Sequence, residues 1–131
     1  VGLTAQSFAS VSLDPPLVLW SLDKGSDRFG ALMEATHFVV NILGAESRTL
    51  SQRLSKKGEM NLDGEDVAAG KHGIPVLKQA IAHFDCSVEQ RVDAGDHVIF
   101  IGRVHDHGHR AHGDPLLYYR GRYRALSEGD R

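Results

Sequence analysis

Hydroxyl and amide side chains are threaded through TAQSFASVSL, Thr4 to Leu13, a stretch that is otherwise small and apolar. In an extended chain alternate side chains face opposite ways, so Thr4, Gln6, Phe8, Ser10 and Ser12 share one face and Ala5, Ser7, Ala9 and Val11 the other. Such a strand suits a flat, partly polar ligand, because small residues let a ring approach while hydroxyl, amide and backbone groups bond its edge. A solvent-facing strand rich in threonine and serine has the same pattern, so spacing leaves both readings open. Downstream, SLDKGSDRF puts Lys24 and Ser26 beside an expected helix start, where they could hold a phosphate or simply cap a surface helix. In GDHVIFIGRV, Gly95-Asp96 forms a turn, His97 opens an apolar strand, and Gly102 marks a close approach to the backbone. His97 could donate a hydrogen bond or orient a charged substrate, or be no more than a polar strand end.

Two further stretches carry chemistry less directly. VHDHGHRAHGD presents His105, His107, His109 and His112, which with Asp106 or Asp114 could form a metal set. Gly108 and Gly113 make that segment read as a mobile turn without the support a metal site needs, so no metal is expected. In PLLYYRGRYRAL, read as one strand over Pro115 to Ala125, Leu117, Tyr119, Gly121 and Tyr123 share a face. The glycine leaves a gap between two tyrosines where a planar ring could sit, and an edge strand with amphipathic tyrosines is the ordinary alternative.

These residues need elements to hold them. The 131 residues, 41% hydrophobic and 24% charged, suffice for one core and are few for two domains, so a single domain over 1–131 is expected. A net charge of -2 without a basic cluster argues against nucleic acid. The longest apolar runs fall short of the roughly 20 residues of a membrane span, so a soluble protein is expected. The single cysteine, Cys86, allows no intrachain disulfide, which suits a cytoplasmic setting. The chain opens at Val1 directly into a motif-like stretch, and a preceding N-terminal segment is expected.

The breakers and apolar periodicity place strands at Val1 to Ser12, Leu17 to Leu22, HFVVNIL, Val76 to Ala82, Phe84 to Arg91, His97 to His105 and Pro115 to Ala125. Helices are expected over Asp27 to Thr36, capped by Ser26, and over Ala45 to Ser55. KKGEMNLDGEDVAAGKHG reads as a loop. Closely spaced, mostly antiparallel strands with few helices make a small barrel the expected fold. No G-x-G-x-x-G and no Walker-type loop is present.

In this order GLTAQSFASVSLDPPLVLWSLDKGS, FVVNIL followed by LSQRLS, GDHVIFIGRV and PLLYYRGRYRAL resemble the flavin reductase-like family over nearly the whole chain. The resemblance implies a flavin-binding split β-barrel, mainly β with a few helices. It also implies a homodimeric enzyme that uses NADH or NADPH to reduce FMN or FAD, often supplying a partner monooxygenase. By the same match Thr4, Ala5, Gln6 and Ser7 border the isoalloxazine, and Ser21, Leu22, Lys24 and Ser26 hold the ribityl and phosphate groups. Ser51 and Arg53 add to the phosphate or adenine side, and His97, the candidate catalytic residue, stands near the nicotinamide. Hydride passes from one bound ring to the other, so the lack of an acid–base dyad does not count against an enzyme. Two other classes stay open: a split barrel that holds flavin or a tetrapyrrole without turnover, and a histidine-rich metal module.

Overall fold

The structure, a computed structural model, describes residues 1–130, so Arg131 lies outside the described residues. Five antiparallel strands form the main sheet in the order β1 (Ala9–Leu13), β2 (Pro16–Asp23), β7 (His97–His109), β6 (Ala82–Ala94) and β3 (His37–Ile42). The remaining strands form two hairpins, β4 (Val67–Ala69) with β5 (Pro75–Leu77) and β8 (Leu117–Tyr119) with β9 (Arg122–Arg124). The helices are short: α1 (Phe29–Glu34), and α2 (Arg48–Leu54) entered through a 3₁₀ turn at Ala45–Ser47. No helix among the described residues is long and apolar enough to cross a membrane.

The period of two along β2 and β7 builds the core. Val18, Trp20 and Leu22 point inward opposite Gly102, Phe100 and Val98. Trp20 stacks on Phe100 with centroids 4.8 Å apart, and the Phe38 ring meets both edge-on. The sheet curls so that Phe8, just before β1, reaches the Phe84 ring on β6 at 5.4 Å. A second cluster, Leu50, Leu54, Leu77 and Ala80, joins α2 to the β4–β5 hairpin. Cys86 is fully buried, and that burial, reinforced by Asp85, pushes its thiol up to about 12, which keeps it neutral and poorly nucleophilic.

Gly102 is where the sequence placed a close approach, and the neighbour is a core ring. A Cβ there would lie 2.4 Å from Phe38 Cζ and 3.0 Å from Cys86 Cβ. Gly102→Ala must therefore displace packed core atoms and is expected to cost about 1–3 kcal/mol. A urea midpoint unchanged from that of the unsubstituted protein would refute this.

Several expectations need correction. Residues before Ala9 leave the sheet, and β1 carries a register shift between Ser10 and Ser12, so the two-faced strand from Thr4 to Ser12 does not form. Backbone bonds from Gly2 N to Met60 O and from Thr4 N to Leu54 O draw that segment onto the residues around α2 instead. Helix α1 begins at Phe29, and Ser26 Oγ accepts from Arg28 N at 3.1 Å in a turn that precedes it. The polar loop contains β4, and the strand expected over Val76 to Ala82 breaks after Leu77. Pro115 to Ala125 folds back at Arg120 and Gly121, both at positive φ (52° and 75°), the pairing a two-residue hairpin turn requires. Gly121 is therefore a turn residue, and it leaves no gap in a strand between tyrosines.

The histidine segment is largely strand and not a mobile turn. Gly108 pairs with His83, and the His83 ring fills the space where a Cβ would stand. His105 Nε2 bonds Ser87 Oγ at 2.7 Å. Among the described residues no group of three or more His, Cys, Asp or Glu side chains is arranged to hold a metal ion.

Candidate functional site

A cleft of about 400 Å³ opens where the segment before β1 passes the C-terminal end of β2 and the start of β7. Thr4, Ala5, Gln6 and Ser7 form one wall, Ser21, Leu22 and Ser26 a second, and His97 stands at the start of β7. Eight of the eleven residues singled out from the sequence thus line one space. Lys24, Ser51 and Arg53 do not. Lys24 forms an ion pair with Asp93, and its backbone N–H donates to Asp96 O. Ser51, buried, shares a 2.8 Å hydrogen bond with the Tyr123 hydroxyl. Arg53 pairs with Glu65 at 3.6 Å and donates to Asn61.

The hydroxyls and the amide of the opening stretch fasten the wall. Thr4 Oγ1 donates to Ser51 O at 2.7 Å, Gln6 Nε2 donates to Tyr118 O at 3.1 Å, and Ser21 N–H donates to Ser7 Oγ at 2.8 Å. With those side chains engaged, the backbone between them is held open. Among the described residues the N–H groups of Ala5, Gln6 and Ser7 donate to no protein acceptor. Backbone donors left free on residues that line a cleft can take carbonyl oxygens or ring nitrogens. The Gln6 side-chain carbonyl remains available as an acceptor for a ring N–H.

Sequence reasoning missed Arg28, Leu54 and Ser55, which also line the cleft. Arg28 is 5% exposed and donates to the carbonyls of Gly2, Leu54 and Glu59 and to Asp27 Oδ1. Its charge is thus dispersed among backbone acceptors, and the residue holds the wall to the end of α2. Asp27 stays ionised well into acid because Gly58 N–H, at 2.6 Å, and then the Arg28 guanidinium hold its carboxyl below the usual range. At the cleft mouth His97 Nδ1 lies 2.7 Å from Asp96 Oδ1, and this bond in turn lowers the Asp96 pKa. The carboxylate orients the imidazole, leaving Nε2 for a ligand.

The curled antiparallel sheet with a polar-rimmed cleft beside its first strand defines a mainly β protein of the split-barrel class. Its chemistry fits a flat heteroaromatic cofactor: free backbone donors, small residues at the rim, and the apolar surface of Leu3, Leu22 and Leu54. The chain belongs to the flavin reductase like domain family, whose model matches residues 1–127. It is 44% identical over 127 residues to the FMN reductase (NADH) SmoA of Agrobacterium fabrum, an alignment covering 97% of this chain and 72% of that protein. It is 37% identical over 126 residues to HsaB, the reductase subunit of a flavin-dependent monooxygenase from Rhodococcus jostii, covering 96% and 65%. Among solved structures, the NADH:FAD oxidoreductase SgcE6 of Streptomyces globisporus in complex with NAD and FAD fragments superposes with a TM-score of 0.91. The identity there is 30%, over 98% of this chain and 79% of that one.

Proposed function

We propose that the chain is the catalytic core of a flavin reductase that oxidises a reduced nicotinamide nucleotide and delivers reduced FMN or FAD to a partner monooxygenase. The observation that carries this reading is one cleft lined by Thr4 to Ser7, Ser21, Leu22, Ser26 and His97, in which the N–H groups of Ala5, Gln6 and Ser7 have no protein acceptor among the described residues. A flavin bound there supplies the acceptor for a hydride from reduced nicotinamide. The chain's part is to fix its position: the Thr4 to Ser7 backbone and the Gln6 carbonyl take the polar ring edge. Ser21, Leu22 and Ser26 take the side chain of the cofactor, and His97 positions the nicotinamide nucleotide. Lys24, Ser51 and Arg53 are engaged elsewhere and support the cleft indirectly. SmoA and SgcE6 are NADH-dependent, and HsaB is the reductase subunit of a monooxygenase. By likeness to them NADH is the first donor to try here, with NADPH second, and a flavin monooxygenase is the partner. A cytoplasmic setting, where reduced nicotinamide is made, belongs to the same proposal.

A homodimer is part of it as well. On the outer face of β2 and β7, Leu17, Leu19, Ile99 and Ile101 lie side by side and only half buried, an apolar patch that a second copy would cover. The test is the loss of NADH or NADPH absorbance with and without FMN or FAD, alongside the molar mass by light scattering. Flavin-dependent oxidation by a species of twice the chain mass is expected. Retention of a yellow cofactor with no oxidation of either nucleotide would favour the non-catalytic flavin-holding barrel instead. A monomer that turns over would remove the dimer and leave the reductase.

A further inference from the structure

Away from the cofactor cleft, on the outer face of β6, Asp85 is 1% exposed and lies beneath the turn of the β4–β5 hairpin, residues 70–74. Its Oδ2 accepts the Lys71 N–H at 2.7 Å, whereas Oδ1, equally buried, accepts no hydrogen bond. The turn lies so close that a Cβ at Gly70 would stand 2.7 Å from Oδ2. Facing the orphaned Oδ1 is His72 Nδ1, 3.5 Å away, on a side chain 34% exposed. Two more imidazoles surround that ring: His37 of β3 stacks on it with centroids 4.0 Å apart, and His105 of β7 meets it edge-on at 5.7 Å. His37 Nδ1 is bonded to Thr36 Oγ1 and His105 Nε2 to Ser87 Oγ, which leaves one nitrogen of each ring without a protein partner among the described residues. Arg103, opposite Ser87 on the same face, is paired with Glu89 at 3.4 Å.

A buried carboxylate oxygen without a partner is costly until a proton donor or a cation meets it. Two ligand atoms held at about 2.0–2.1 Å by a tetrahedral ion stand about 3.3–3.4 Å apart. The 3.5 Å between Asp85 Oδ1 and His72 Nδ1 is close to that spacing. We infer that these two atoms are the fixed ligands of a zinc-class divalent ion, with His37 Nε2 as the third ligand and water as the fourth. No three of the described side chains already converge on one point, so the third ligand arrives by rotation of the His37 ring. Of the histidine run on β7 only His105 adjoins the site. The ion joins the hairpin to the sheet. Through Leu77, which packs with Leu50 and Leu54, it also braces α2 and the cofactor cleft that Leu54 lines.

Zn²⁺ is the probe, titrated calorimetrically into the full chain in a buffer without chelators. One equivalent is expected to bind, and His72→Ala and His37→Ala are each expected to weaken it by about tenfold or more. Asp85→Asn tests the buried ligand, and His72→Ala, on an exposed turn, carries the test where that buried substitution fails to fold. His107 and His109, exposed at alternate positions of β7, are the control: replacing both by alanine is expected to leave the affinity within twofold. At a hundredfold excess over Kd, Zn²⁺ is expected to raise the Tm of the parent by about 5–10 °C and to leave that of His72→Ala unchanged. Binding that is absent, or that persists undiminished in His72→Ala, overturns the inference. Binding lost with His107 and His109 overturns it as well, and places the ion on the exposed strand.

Discussion

Arg28→Ala is expected to lower the unfolding free energy by about 3 kcal/mol and to loosen the cofactor cleft in the same step. The guanidinium is buried and donates to the carbonyls of Gly2 at the start of the chain and of Leu54 and Glu59 at the end of α2 and in the loop after it. Alanine takes this donor from Gly2 O and Glu59 O, while Leu54 O keeps the Thr4 N–H, and a carbonyl deprived of a partner while buried costs about 1–3 kcal/mol. Some water will enter from the cleft, which keeps the total nearer one such carbonyl at full cost plus partial losses at the others. For a chain of this size the loss corresponds to a fall in Tm of about 10 °C. The Gly58 anchor of Asp27 survives the substitution, so the loop at Lys56 to Glu59 is not released as a whole. The depressed Asp27 carboxyl contributes stability that is present above its ordinary pKa of 3.8 and lost as the pH falls through the depressed value. The Arg28→Ala deficit is therefore expected to be largest at neutral pH. Arg28→Lys, with one compact ammonium, can reach some of the acceptors and should recover part of the loss. A melt of the alanine variant within 2 °C of the parent would show that water replaces the guanidinium at little cost.

This residue also shows where the sequence stops being informative. DRFGALME reads as a helix with Arg28 in its first turn, an exposed position on any local argument, yet its partners lie at Gly2, Leu54 and Glu59. The same long-range bonds explain the misread opening stretch. Val1 to Ser12 reads as a strand, but Met60 O and Leu54 O take the Gly2 and Thr4 N–H groups at its start and hold them away from the sheet. Where neighbours in space are also neighbours in pattern, the reading held: LVLWSL and HVIFIGRV predicted β2 and β7, and their alternation is the core. The hairpin at Arg120-Gly121 was signalled only by its glycine, because arginine is an unusual residue at positive φ. For the cleft, the resemblance singled out the Thr4 to Ser7 and Ser21 to Ser26 stretches, and most of their residues do line it. Ser55 was invisible because nothing in LSQRLS distinguishes the serine that faces a cleft from Ser51, which faces Tyr123.

His97→Ala is expected to lower kcat/KM for the nicotinamide nucleotide by about ten- to fiftyfold, mainly through KM, with flavin affinity within twofold of the parent. The imidazole is part-exposed at the cleft mouth, and its backbone is fixed in register opposite Asp23 on β2, so the substitution removes a side chain without moving the strand. Asp96 remains ionised across the neutral range, since the His97 hydrogen bond holds its carboxyl below the usual value. It accepts from Nδ1–H at 2.7 Å, which fixes the ring and leaves Nε2 without a protein partner among the described residues. A single oriented polar contact to a charged or amide-bearing substrate contributes on the order of 1.5–3 kcal/mol, which sets the size of the expected effect. Asp96→Asn keeps a hydrogen-bonding partner of the same shape but loses the charge, so it should give a smaller rise in KM with the same unchanged flavin affinity. That pairing separates positioning from mere support of the fold, because a structural lesion at the cleft mouth would weaken both ligands together. If His97→Ala weakens flavin as much as it weakens the nucleotide, the imidazole is a flavin contact. The nicotinamide must then be positioned by the opposite wall, where Gln6 and Ser55 are the remaining polar side chains nearest the hairpin.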